Sequence, residues 1–189
     1  MEKHERGKAM TGKAVSKMTK TESMTLTGVF AAITGVLAWI SIPLPFTPVP
    51  INMALVGVLL GSAIMGRKGS PRGGAASVGI YLLMGAIGIP VFSGGTAGLG
   101  VLTGPTGGFL IGYLATALFV GYLGNRKSLA VSALMNMLGI LCCYAFGLIW
   151  FMQLTGSSLM AGISACMLPF LPGDVLKSIL AAYLGRKIR

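Results

Sequence analysis

The chain is predicted to be an all-α membrane protein of six transmembrane helices with both termini cytoplasmic. Three observations predict it. Of its 189 residues, 54% are hydrophobic and only 10% charged, with a mean hydropathy of +0.82; charged residues make up about 25% of an ordinary soluble domain. Apolar stretches recur at lengths near the ~20 residues a helix needs to cross hydrocarbon. Basic residues, Lys177 apart, fall only in the two terminal segments and in alternate connections, as the positive-inside rule requires of segments sharing one side of a membrane. The length leaves room for one compact bundle and no separate soluble domain.

Residues 1–23 read as a basic cytoplasmic tail, carrying Lys3, Arg6, Lys8, Lys13, Lys17 and Lys20, to which no specific function is assigned. Residues 24–189 form the membrane domain. The first span, Met24–Ile42, has a longer apolar run than a signal peptide and no A-x-A-like site after it. Pro50–Gly66, Gly73–Ile89, Gly107–Gly124 and Leu129–Trp150 follow, then a long interrupted sixth span, Ser158–Gly185. Arg67, Lys68 and Arg72 mark the second connection and Arg126 and Lys127 the fourth. Arg186, Lys187 and Arg189 mark the C-terminus. Connections 43–49, 90–106 and 151–157 contain no Lys or Arg and are assigned to the outside.

The sixth span is not one straight helix. Pro169 and Pro172 each remove a backbone donor and disfavour helix at the residue before them. Proline suits the first position of a helix, so a new helix is expected to start at Pro172. Asp174 then falls in its first turn, where the dipole favours a carboxylate. Eleven residues separate Asp174 from Gly185, about 17 Å of helix, which puts Asp174 near mid-depth in a ~30 Å core.

Asp174 is the only acidic residue after Glu22, and Lys177 stands three residues further on. At i, i+3 the two share a helix face. Ionisable groups in hydrocarbon are costly and by default mark a working cavity. A capping carboxylate with its neutralising lysine is the structural alternative. As a binding pair, the carboxylate accepts N–H bonds and the ammonium donates to a carbonyl or carboxylate.

The uncharged outer segments supply the rest of a pocket. Pro90–Gly108 reads PVFSGGTAGLGVLTGPTGG, a loop long enough to be functional. Its glycines let the backbone approach a ligand, and irregular backbone at membrane depth must line a cavity or be buried in protein. Phe92, Ser93, Gly94, Gly95, Gly98 and Gly100 are the ligand-facing candidates. Gly107, Gly108 and Gly112 belong instead to helix packing. Ser41–Asn52, SIPLPFTPVPIN, with four prolines, is expected to be a stiff, extended, polyproline-like lid edge, with Asn52 at its end and Tyr144 as further ligand-contact candidates. Phe92, Tyr113, Tyr144 and Trp150 are candidate walls. On the first span, Gly28/Ala32 and Ala31/Gly35 form two small-residue ridges suited to contact within the bundle or with a partner.

Other chemistries are not supported. The basic clusters have no interleaved aromatic residues for base stacking, so no nucleic-acid partner is expected. His4 is the only histidine, and Cys142, Cys143 and Cys166 give neither a zinc spacing nor a disulfide framework, so no metal or cofactor is expected. Gly61–Ser70, GSAIMGRKGS, nearly matches a phosphate loop, but Arg67 stands in the lysine position and no strand precedes it. Without a nucleophile–base constellation, an enzyme is not expected. A proton-coupled secondary transporter using Asp174 as its proton carrier is one functional reading of the pair.

SIPLPFTPVPI, GIPVFSGGTAGLGVLTGPTGGFLIGY and PFLPGDVLK together resemble signature segments of the BioY biotin transporters, the biotin-specific S components of energy-coupling factor (ECF) transporters. The resemblance runs from about residue 24 to the end. It implies an S-component fold in a prokaryotic cell membrane, with biotin as ligand and a membrane scaffold subunit plus an ATPase pair as partners. The ligand site it implies is Asp174 and Lys177, with the glycine-rich and proline-rich segments around them. It also implies scaffold contact through a small-residue ridge on the first helix, here Gly28, Ala31, Ala32 and Gly35. The chain departs from the family pattern at Ala54 and Ala97, where glutamine and a further glycine are common. An S component for another small vitamin is the nearest alternative.

Overall fold

The computed structural model describes residues 18–124 and 128–188. Most of the basic tail, the Arg126–Lys127 connection and Arg189 lie outside them. The first helix, α1 (Lys20–Trp39), opens on a capping box. Thr19 accepts from the Glu22 N–H, and the Glu22 carboxylate accepts from the Thr19 N–H, so two orphan donors are satisfied at once. The helix therefore begins four residues before the predicted span, and the expected boundary after residue 23 falls inside it.

It also ends before Ile42, because the next residues form a strand. Ser41–Leu44 (β1) pairs antiparallel with Thr47–Asn52 (β2). The proline-rich stretch is thus a hairpin, not the polyproline-like segment expected. A two-stranded ribbon has only edges, where proline's missing N–H costs no ladder bond. The hairpin also consumes the first residues of the second predicted span, leaving α2 as Ala54–Arg67, with the Asn52 carboxamide accepting from the Ala54 N–H at 3.1 Å.

Eleven of the fourteen residues of α2 are buried. It is the central helix, packed against α1, α3 (Gly73–Ala86), α5 (Gly107–Leu123) and the last helix. Between α3 and α5, the glycine-rich segment holds a single 3-10 turn at Ser93–Gly95 and a short α4 (Leu99–Thr103). Next, α6 (Leu129–Thr155) runs five residues past the predicted Trp150 end and stops at Gly156, whose left-handed conformation closes helices of this kind. The sixth predicted span is two helices, α7 (Leu159–Cys166) and α8 (Leu171–Lys187), bent by 55° around Pro169. Pro172 is the second rather than the first residue of α8, and Asp174 lies in the first turn.

By length and composition α1 and α6 are each able to cross a membrane, and the bent α7–α8 pair is a third candidate. Fourteen-residue α2 and α3 rise only about 21 Å. For α2 the reason is visible: a helix enclosed by protein is not required to match hydrocarbon thickness.

Small residues set the helix spacing. A Cβ built on Gly112 would stand 2.9 Å from Cys143 Cα, and one on Gly108 2.2 Å from Trp150 Cβ, so this Gly-x-x-x-Gly spacing is the α5–α6 seam. The two ridges of α1 separate cleanly. Ala31 and Gly35 are buried, with a Cβ on Gly35 meeting Val91 Cγ1 at 3.2 Å. Gly28 and Ala32 are exposed, and a Cβ on Gly28 would meet nothing within 4 Å. Ala31 and Gly35 are therefore interior packing positions, and the partner-contact expectation fails for them.

Candidate functional site

A cavity of about 340 Å³ opens among β2, the glycine-rich segment, α5, α6 and α8. Its floor is built by three helix faces at regular spacing. Thr106, Phe109, Leu110 and Tyr113 line it from α5 and its N-cap, Ile140, Cys143 and Tyr144 from α6, and Phe170, Asp174 and Lys177 from α8 and its N-cap. Each set follows the i, i+3, i+4 rule for one face of a helix.

Among the described residues lining the cavity, only Asp174 and Lys177, at the deep end, carry charge. Asp174 and Lys177 are 4% and 7% exposed. Lys177 Nζ donates to Asp174 Oδ1 at 2.8 Å, and the Tyr144 hydroxyl donates to Asp174 Oδ2. The carboxylate also sits at the start of α8, where the helix dipole supports a negative charge. These three contacts compensate a charge that would otherwise be prohibitive in apolar surroundings. The group retains capacity: a carboxylate has about four lone-pair sites and an ammonium three donors, and the described contacts use two and one of them.

The rim is assembled from backbone and neutral groups. Asn52 at the end of β2 is its junction. Its Nδ2 donates to Ser93 Oγ at 2.5 Å, and its Oδ1 accepts from the Tyr113 hydroxyl at 3.3 Å, tying the hairpin to the glycine-rich segment and to α5. Gly98 donates its N–H to the Gly85 carbonyl at 2.7 Å from φ 96°, ψ 164°, a region essentially restricted to glycine. Trp39 donates to the Pro90 carbonyl at 2.7 Å and covers Gly95, where a Cβ would sit 3.7 Å from the indole.

Among the predicted ligand contacts, Asn52, Phe92, Ser93, Gly100, Tyr144, Asp174 and Lys177 line the cavity, whereas Gly94, Gly95 and Gly98 do not. Those three hold the loop's shape, all at positive φ. Phe92 is wholly buried, edge-on to Tyr81 with ring centroids 5.5 Å apart, so it is as much a core residue as a wall. Tyr113 is a wall as expected. Trp150 is not; its indole donates to the Gly104 carbonyl at 3.0 Å and braces the loop from behind. Phe109, Ile140, Cys143 and Phe170 were missed, although stepping back four residues from Tyr113, Tyr144 and Asp174 reaches Phe109, Ile140 and Phe170, and stepping on three from Ile140 reaches Cys143. Val49 and Cys166 carried no such signal, because a hairpin and a helix break place them.

An apolar helical bundle enclosing a chamber with apolar walls, a neutral rim and a compensated charge pair at its base defines a small-molecule-binding membrane protein. Comparison with known proteins narrows this. The BioY family model matches residues 10–189, and the chain belongs to the BioY family. It is 37% identical over 181 residues to the biotin transporter BioY of Rhizobium etli, covering 89% of this chain and 93% of that protein. To the biotin transporter BioY of Thermotoga maritima it is 34% identical over 163 residues, covering 86% and 92%. Its fold matches a crystal structure of the S-component for biotin from an ECF-type ABC transporter with a TM-score of 0.82 and 28% identity, covering 91% of this chain and 94% of that one.

Proposed function

We propose that the protein captures biotin at the outer face of a prokaryotic cell membrane as the substrate-binding component of an ECF-type transporter. The observation that carries this reading is the Asp174–Lys177–Tyr144 cluster beneath an apolar chamber. Biotin's ureido ring presents two N–H donors beside one carbonyl. The spare lone pairs of Asp174 accept from the former, and the spare donors of Lys177 serve the latter. The pair is neutral as a unit, which suits a neutral ring better than a second carboxylate. The thiophane and alkyl chain then lie against Phe109, Ile140 and Phe170, and the valerate carboxylate faces the rim. Biotin is cargo in this reading, not a resident cofactor, and no catalytic step is assigned.

In the same reading the bundle crosses the membrane six times, counting α7–α8 as one broken span, with the basic connections cytoplasmic. The shorter α3 reaches the required depth together with the turn residues that continue it, while α2 is enclosed by its neighbours. The exposed Gly28/Ala32 ridge of α1, flanked by exposed Val29, Ile33 and Val36, is the surface for the membrane scaffold subunit that couples uptake to an ATPase pair. A bulky Gly28→Leu is expected to fold and bind biotin normally but to lose co-purification with the scaffold subunit.

Mass spectrometry of ligand released from the purified protein, followed by biotin titration against thiamin and riboflavin, tests the substrate. Tight binding of biotin alone is expected; capture of another vitamin with biotin ignored would sink the assignment. Uptake that persists without ATPases but collapses with the proton gradient would replace the ECF coupling with a proton-coupled mechanism.

A further inference from the structure

Deeper than the floor of the site, a second cavity of about 20 Å³ lies where α2, α6 and α8 converge beside the end of α5. A cavity needs roughly 10–15 Å³ by this measure to hold one water. Asn136 of α6, 1% exposed, lines it. Its Nδ2 donates to the Ser178 carbonyl of α8 at 3.1 Å, while its Oδ1 has no protein partner. A buried amide oxygen left unmatched carries its full desolvation penalty, so something in the cavity must donate to it. Arg67 and Arg186 also line the space, which disfavours a metal cation. The orphan group is an acceptor, which disfavours an anion. A neutral donor meets both constraints, and the volume suits one water.

The tether to Ser178 gives the arrangement its consequence. Asn136 stands eight residues before Tyr144 on the same face of α6, and Ser178 stands four residues after Asp174 on the same face of α8. The two helices run antiparallel, so Tyr144–Asp174 and Asn136–Ser178 are successive rungs between them, with Lys177 in the interval. A single rung leaves α8 free to pivot; two fix its rotation and height. We propose that the cavity holds one structural water donating to Asn136 Oδ1, and that Asn136 is a positioning residue holding Asp174 and Lys177 toward the chamber. Its effect on affinity rests on the biotin reading above; the tether itself does not.

Wild type, Asn136→Leu and Asn136→Asp are compared in lipid nanodiscs by thermal unfolding, amide hydrogen exchange across α8 and biotin titration. Leucine removes the tether and the orphan oxygen together at similar volume, so the unfolding temperature changes little. Exchange across residues 174–182 is expected to quicken, and biotin to bind about five- to tenfold more weakly, the scale of one interhelical hydrogen bond in lipid. A folded leucine variant with wild-type exchange and affinity overturns the positioning role, as does a lowered unfolding temperature with both unchanged. Ionised beside Arg67 and Arg186, aspartate keeps the shape and the acceptor but has no donor, so it reproduces both changes and serves where the leucine variant does not fold. Wild type that binds no biotin would sink the ligand assignment, while quickened exchange would still support the tether. A crystal structure that resolves ordered waters is expected to show one at Asn136 Oδ1; a dry cavity there overturns the water site.

Discussion

The floor and the rim of the chamber are built by opposite strategies. At the floor, side chains of two regular helices converge: Tyr144 from α6 and Asp174 and Lys177 from α8, all buried, with the tyrosine and the lysine both donating to the carboxylate. At the rim, regular structure is minimal, none of the described side chains carries a charge, and shape comes from glycines at positive φ and from a hairpin latched by Asn52. Helices preorganise a charged pair at low cost, because neighbouring turns fix both partners. An opening through which cargo passes is better made of uncharged segments whose few polar links are easily exchanged for water. Specificity is therefore expected to reside at the floor and access at the rim.

The largest effect should come from breaking the floor's charge pair. Asp174→Asn and Lys177→Ala each leave a buried charge without its partner, and each is expected to cost biotin binding about 2–5 kcal/mol, the range for truncating one member of a buried hydrogen-bonded pair. Isothermal titration on folded variants measures it. Near-wild-type affinity in both would remove the floor's claim to specificity. Tyr144→Phe deletes one hydrogen bond to a charged acceptor, worth about 1.5–3 kcal/mol. Its cost should overlap with that of Asp174→Asn in a double-mutant cycle, because the hydroxyl acts through the carboxylate; strict additivity would show that Tyr144 meets the ligand independently.

A rim substitution should act through the loop rather than through a ligand contact. Gly98→Ala forces a side chain into backbone space that costs of order 1–3 kcal/mol for anything but glycine. The expected result is a lower unfolding temperature and a faster biotin off-rate, with ligand selectivity unchanged. Altered selectivity instead would mean that the rim reads the ligand as well.

This division also explains what was legible in the sequence. Asp174 and Lys177 stood out because charge is scarce in an apolar chain, and their i, i+3 spacing already placed them on one face. Helix identity was equally plain, since apolar length and basic connections are composition-level signals. Other features depend on tertiary partners and left no such mark. The hairpin was hidden because prolines lower strand propensity, and only its lack of interior strands makes them harmless. Gly94, Gly95 and Gly98 resembled ligand contacts because glycine is chosen alike for close approach and for positive φ, and sequence does not distinguish the two. Nor could it tell Gly28/Ala32 from Ala31/Gly35, ridges one residue out of phase, until Val91 was seen against Gly35.

The smallest expected effect is the sharpest test of the comparison. Among the described residues, Lys177 is the only cation lining the chamber, and it is committed to Asp174 at the deep end. With the ureido ring on that pair, biotin's carboxylate reaches a rim of prolines, threonines and glycine backbone where water competes for it. Converting the carboxylate to a primary amide should then change affinity by less than about 1 kcal/mol, as for other solvent-screened charges. Replacing the ureido carbonyl should cost as much as Lys177→Ala, because it removes the same contact from the other side. A hundredfold loss for the amide would show that the rim recognises the anion, with the first turn of α5, whose N-cap Thr106 lines the chamber, as the nearest source of positive potential. Specificity would then be shared between the two ends, and the rim would be a reading surface rather than a gate.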